Sequence, residues 1–393
     1  MTSWHERAKN GQLHTLPHSD LAVLIIKDAE GKTPMHLAIE SGYFDSIPSN
    51  FITERTMVTR NEFGETPLHL AINKGFAGKL TSFMTPEYLL LRDKANRTVF
   101  HALVEAGTVN YAPKSFLTED HYLIKDSREN TPLHMAASSG HLDQVPAQIL
   151  REHITTAKND YGRTALQIAA MENHLDQVPI DILTVENLAT ADKAGWTSLH
   201  NAAARGYLNH IPLPVLSSKA MLMPLPNGDT PFHLAAQNDE LDKFPEEILT
   251  AKNLLHISDV PGNKFRNTAF HWAAVSGHLN QIPVDLLTKE NLLMRNKRGV
   301  SPLMYAAREG ILAQVPSERL VAESLMEKDD DGITSLQYAV LRGELGLLLG
   351  VDFSDYPEAR KIVGNEWWEQ NETVTKHKEE LNSTVEVIDI DIF

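Results

Sequence analysis

The stretch TPLHMAASSGHLDQVP, Thr131 to Pro146, places a histidine three residues after a threonine and a proline fifteen after it. Both spacings recur along most of the chain. Aligned on that threonine, the anchors are Thr2, Thr33, Thr66, Thr98, Thr131, Thr164, Thr197, Thr230, Thr268, Ser301 and Thr334. The successive intervals are 31, 33, 32, 33, 33, 33, 33, 38, 33 and 33 residues. A period held this closely marks a repeat array.

Each anchor reads as the start of a helix. Thr131 is a good N-cap, and Pro132 suits the first helical position, where a missing N–H costs nothing. His134 then falls at the third position, where its ring reaches back to the threonine hydroxyl or to the adjoining loop, much as Glu does in a capping box. The same place holds His5, His36, His69, His101, His200, His233 and His271, and elsewhere Gln167, Met304 and Gln337. Histidines a whole repeat apart argue for structure and against metal or proton chemistry. Ala136 and Ala137 keep the helix thin for close neighbours, and Gly140 suits its left-handed terminus. A helix of about eight residues is unstable alone, so it must stack on the same helix of the next unit.

The proline recurs as Pro17, Pro48, Pro113, Pro146, Pro179, Pro212, Pro245, Pro283 and Pro316, with Thr81 and Leu349 as exceptions. Asp45, Asn110, Asp143, Asp176, Asn209, Asp242 and Asn280 precede it by three residues. They read as N-caps of a second helix with proline in its first turn. The alternative is an extended residue before each proline, with the helix beginning only there. Thr53, Thr118, Thr184, Ser217, Thr250 and Thr288 then open a short helical turn in segments such as LTVENL and LTKENL. The expected unit is helix, short helix, helical turn and finger loop.

These units resemble ankyrin repeats. The resemblance is carried by TPMHLAIESGYFDSIP, TPLHLAINKGFAGKL, TSLHNAAARGYLNHIP, TPFHLAAQNDELDKFP and TAFHWAAVSGHLNQIP, preceded by tips such as DKAGW and NDYGR, and it covers about residues 2–349. It implies an all-α fold, an ankyrin-repeat α-solenoid of about eleven units with short finger loops over 1–349. The chain departs from the family pattern in the recurring proline and in LTxENL, which replaces the usual Gly-Ala-Asp turn. The first unit, with Glu6, Arg7 and Lys9, and the last unit read as caps. Residues 350–393 read as a helical cap, with Trp367 or Trp368 docked on the stack, and an acidic tail. The closing STVEVIDIDIF alternates apolar and acidic residues at strand period. It suits either addition to an exposed edge or a loosely ordered tail. Five extra residues between Thr230 and Thr268, around SDVPGNKFRNT, predict an enlarged finger.

Composition narrows the function. The 393 residues carry a formal charge of −16, which disfavours nucleic acid as a partner. From Asn365 onward the charge is −6, from eight acids and two lysines. With no cysteine, disulfides, thiolate metal sites and a thiol nucleophile are excluded. No signal peptide or membrane span is evident, so a cytoplasmic monomer is expected, with no membrane partner. No phosphate loop, HExxH, nucleophile elbow or calcium loop occurs, and the acids recur at period positions without converging. The expectation is a protein without enzymatic activity, cofactor or metal.

By the resemblance, the finger tips and the facing residues of each first helix form a concave protein-binding surface. Those slots hold Phe63, Tyr161, Arg163, Trp196, Arg205, Lys264, Phe265, Lys297, Arg298 and Arg308. Trp, Tyr and Arg are frequent interface hot spots, and the basic residues point to an acidic or polar partner with apolar pockets. The competing reading has these tips packing on neighbouring fingers. The implied function is a protein-binding scaffold or adaptor. The alternative is a secreted bacterial effector that binds a host protein through the same array, with the acidic tail as export address.

Overall fold

A computed structural model describes residues 3–372 and 375–376 of the chain. Thr2 and the alternating segment 383–393 lie outside the described residues. The chain forms two compact units, Met1–Ser198 and Leu199–Phe393. The first contains the anchor helices Ser3–Lys9, Pro34–Glu40, Pro67–Asn73, Val99–Glu105, Pro132–Ser139 and Ala165–Met171. The second begins within the helix Ser198–Arg205, at Leu199, and continues with Pro231–Gln237, Ala269–Ser276, Pro302–Glu309 and Ser335–Arg342. Consecutive anchor helices pack on one another along the first unit, and from Pro231–Gln237 onward in the second. The fold is all-α, a sequential stack of helical repeats. Among the described residues the extended pairings are isolated bridges, Arg92 with Thr98, Lys158 with Thr164 and Lys328 with Thr334.

The repeat is built as its residues demand. Thr131 Oγ1 and His134 form a reciprocal capping box, and Gly140 closes the helix at φ 74°. Leu133, Ala136 and Ala137 are fully buried. Leu142 and Val145, three residues apart, both point inward, which is the period of a 3-10 turn. Burial of one such leucine contributes roughly 2 kcal/mol, so a short helix is held by its neighbours.

The second helix differs from expectation. Asp143 caps nothing: it lies inside the 3-10 turn Leu142–Gln144, whose N-cap is His141. Val145 is then extended, at ψ 135°. Asp45, Asp176 and Asp242 likewise sit inside such turns. Proline is the cause. Its ring drives the preceding residue out of the helical region, and it has no N–H to continue a ladder. Pro48, Pro113 and Pro283 are themselves extended, with ψ 136°, 136° and 133°, and each precedes a second 3-10 turn. Only after Pro146 does a longer α-helix follow, Ala147–His153. The alternative reading was right about the extended residue, but the turn starts after the proline.

The next helical turn forms as expected. Thr53, Thr184, Thr250 and Thr288 cap the turns Glu54–Met57, Val185–Leu188, Ala251–Leu254 and Lys289–Leu292. Thr118 and Ser217 precede the corresponding turns without a side-chain cap bond. The asparagine of LTxENL has its own task. Asn187, Asn253 and Asn291 donate from Nδ2 to the carbonyls of Ile182, Ile248 and Leu286 at 2.8, 2.8 and 2.7 Å. Each amide ties the capped turn to the segment that follows the recurring proline.

At the far end of the second unit, the helix Ala359–Val363 packs against Ser335–Arg342. In the following helix, 365–372, both tryptophans are engaged. Trp367 donates to the carbonyl of Leu345 at 3.1 Å, and Trp368 is buried beside Phe353, ring centroids 6.5 Å apart. Buried Asn371 accepts from the Gly350 amide at 2.6 Å and donates to the Val351 carbonyl at 2.8 Å.

Candidate interaction surface

Most fingers are Asx turns closed on themselves, at Asp28, Asn61, Asp93, Asp126, Asn159, Asp192, Asn296 and Asp329, while Leu225 holds that place in the finger before the enlarged one. Asn159 Oδ1 accepts from the amides of Tyr161 and Arg163, at 3.1 and 3.0 Å, while its own amide donates to the Arg163 carbonyl at 3.0 Å. Neighbouring fingers are joined by one backbone bond: Lys94 N–H to Phe63 O at 2.8 Å, Asp160 to Arg128 at 3.0 Å, Lys193 to Tyr161 at 3.0 Å. In the second unit, Lys297 donates to Phe265 O at 2.9 Å. The close approach explains the tip glycine. Gly64 has φ +72°, and a Cβ there would lie 2.8 Å from the Lys94 amide nitrogen.

The histidines brace these fingers from beneath. The Thr33 amide donates to His36 Nδ1 at 3.1 Å, which leaves the proton on Nε2. His36 Nε2 then donates to Glu65 O in the next finger at 3.1 Å. His134 reaches Arg163 O at 3.1 Å and His271 reaches Val300 O at 3.2 Å. Burial depresses the imidazoles of His36, His69, His101, His233 and His271 to about 4, against the smaller opposing pull of the carbonyls. It lowers His134 as well. All are neutral structural groups at neutral pH. His233 is the exception in geometry: its Nε2 closes no hydrogen bond, although the carbonyls of Asn267 and His256 face it. The enlarged finger follows this rung.

In the first unit, Phe63 and Tyr161 stand out from their tips, 65% and 53% exposed. Arg163 stacks over the Tyr161 ring at 5.5 Å and pairs with Asp192 Oδ2 at 3.1 Å. The Asp192 side chain is wholly buried, and its other oxygen accepts from the Ala194 and Trp196 amides, both at 2.9 Å. Trp196 is half-buried, and its carbonyl takes a bond from Gln167 Nε2 at 2.8 Å. Phe63, Tyr161 and Trp196 therefore share a row of fingers, while Arg163 also serves the next finger's framework.

In the second unit, Arg205 is exposed. The insertion forms an enlarged finger that folds onto its predecessor. A Cβ on Gly262 would meet Pro226 O at 2.0 Å, and Asn263 ties Ser258 O to the Arg266 amide. Lys264 and Phe265 stand exposed on it. Arg298 of the next finger lies 4.6 Å over the Phe265 ring, with Lys297 exposed beside it. Arg308 is half-buried, over Tyr305 at 4.5 Å and 3.0 Å from Glu309.

Sequence reading missed two groups. Gln177, Gln281 and Gln314 clamp one repeat to the preceding one. Gln177, for example, accepts from the Leu142 amide at 2.9 Å and donates to Gly140 O at 2.8 Å. The glutamine of LDQVP and NQIP was the available signal. The other group is the apolar residue after the recurring proline, exposed at Ile180 in the first unit and at Leu213 and Val284 in the second.

One grouping has metal-ligand reach among the described residues: Glu119, Glu152 and His153, with ligand atoms all within 4.8 Å of one another. His153 Nε2 is 3.1 Å from Glu119 Oε1, and both carboxylates are exposed, an arrangement an ordinary ion pair accounts for. No helix of the described residues is long and apolar enough to cross a membrane.

A family model for ankyrin repeats, in three copies, matches residues 100–180. Within that span lie the capped helices, braced histidine and linked fingers described above, and the same construction recurs on either side of it. The chain carries ankyrin repeats at residues 100–180. No curated protein matches its sequence. Ankyrin repeats form a family of protein–protein interaction domains.

Proposed function

We propose that this ankyrin-repeat protein is a non-enzymatic scaffold or adaptor that binds partner proteins through its finger tips and the facing residues of its anchor helices. The observation carrying this reading is that fingers tied to their neighbours by backbone bonds present large side chains outward. Phe63 is 65% exposed, Tyr161 53% and Phe265 45%. An aromatic held in water on a rigid loop contributes nothing to folding, and pre-ordering lowers the entropy lost on binding. Tyr161, Trp196 and Arg163 form the recognition set of the first unit. Arg205, Lys264, Phe265, Lys297, Arg298 and Arg308 form that of the second. Residues 1–349 constitute the array, and 350–393 a terminal cap and tail. The buried histidines are spent on bracing the repeats, which supports a reading without catalysis.

The test replaces Trp196 and Phe265 with Ala and compares thermal melts with affinity capture from native lysate. The expected result is an unchanged melting temperature and loss of a protein held by the wild-type chain. Loss of folding and binding together, or retention of every captured protein, contradicts the assignment.

A further inference from the structure

The enlarged finger and its successor in the second unit carry a concentration of positive charge that the fold leaves unmatched. Nearby cations are paired: Lys289 with Glu323, and Arg295 with Glu327 at 3.8 Å. Lys264, Arg266, Lys297 and Arg298 are all exposed, and none enters an ion pair among the described residues. Between them lies Phe265, 45% exposed, its ring roofed by Arg298 at 4.6 Å and its carbonyl held by the Lys297 amide. Asp330 and Asp331 of the following finger bound the patch on one side. Four unpaired cations on two adjacent loops repel one another, in a chain whose net charge is −16. An aromatic face set among them suits a ligand that alternates acidic and apolar side chains.

The chain contains such a ligand. Residues 383–393 read STVEVIDIDIF, with Glu386, Asp389 and Asp391 between Val387, Ile388, Ile390 and Ile392, and no cation. We propose that this segment docks on the Lys264–Phe265–Arg298 patch of its own chain, as an internal competitor for acidic partners. The inference rests on reading the finger edge as a recognition surface. Glu386 and Asp391 lie ten and fifteen residues beyond Lys376, a reach of about 33–50 Å when extended. At about 10 Å per helix layer, the two or three layers between the terminal cap and these fingers lie within that range. Tethering makes a weak contact effective, because a segment joined by a short stretch of chain acts at about millimolar local concentration. Its strength should fall with added salt, which screens exposed charges within a Debye length.

Zero-length carbodiimide crosslinking of the full chain, mapped by mass spectrometry, tests the docking. A mixture of isotopically labelled and unlabelled chains separates links within one chain from links between two. The expected result is an intrachain link from Lys264 or Lys297 to Glu386, Asp389 or Asp391, reduced several-fold by Phe265→Ala with Arg298→Ala and by high salt. Tail links confined to other lysines, or formed only between chains, overturn the proposal. So does the absence of a link while both lysines still react with an amine reagent. A synthetic peptide alternating glutamate and phenylalanine, titrated against the wild type and the same double variant, separates the two levels of the argument. If no link forms but the peptide binds the wild type and not the variant, docking of the tail is refuted and the surface reading stands. If no link forms and the peptide binds neither, both fail.

Discussion

At the scale of the residue, the buried histidines are held neutral beneath the fingers, and pH is the simplest probe of them. A histidine held neutral by burial has its folded-state pKa depressed, here to about 4 for His36, His69, His101, His233 and His271. The unfolded chain then binds more protons between about pH 6.5 and 4. The stability from neutral imidazoles is complete above the upper value and lost as pH falls toward the lower. At pH 5 the loss is about 2 kcal/mol for each such repeat. Glu65, Glu240 and Glu344, raised by burial, act in the opposite direction but are fewer. Urea denaturation at pH 7.5 and pH 5 should show a fall of several kcal/mol, and equal midpoints would contradict the brace. Arg163 and Tyr161 make a second comparison. Arg163→Ala strands the buried Asp192 carboxylate and should cost about 1–3 kcal/mol, whereas Tyr161→Ala should leave the melting temperature nearly unchanged. Equal losses would mean that the tyrosine is structural too.

At the scale of the element, what the sequence reveals depends on whether the deciding interaction is local. The capping box of Thr131 and His134 spans three residues, and its outcome was readable from residue type alone. Thr184 and Thr288, opening their short turns, were legible for the same reason. Asp143 misled because Asp is a strong N-cap in isolation. Here the proline three residues on shapes the backbone, and a 3-10 turn leaves the aspartate inside. The clamp from Gln177 to Gly140 spans 37 residues and has no local signature. The candidate tips were legible as positions in the period, but their pairing was not. That Arg163 meets Asp192, or that Arg298 covers Phe265, depends on which finger lies beside which. The finger backbone offers its own test. Gly64→Ala places a methyl group against the Lys94 amide at φ +72°, and should destabilise by on the order of 2 kcal/mol. Differential scanning calorimetry would register it as a lower melting temperature, and an unchanged one would show that the fingers are not tightly joined.

At the scale of the whole molecule, the repeats share one construction: a thin buried anchor helix, paired 3-10 turns, a capped turn and a finger tied to its neighbour. The stabilising contacts run between consecutive repeats. In such an array, stability is a sum of weak units and stronger nearest-neighbour terms. Native-state hydrogen exchange on the full chain, wild type against Leu133→Ala, measures that division most directly. Leu133 is fully buried, and its truncation should cost about 2–5 kcal/mol. Protection should fall together in Val99–Glu105, Pro132–Ser139 and Ala165–Met171, while Ser3–Lys9 keeps its own. A loss confined to Pro132–Ser139, or one spread evenly over the whole first unit, would contradict the account.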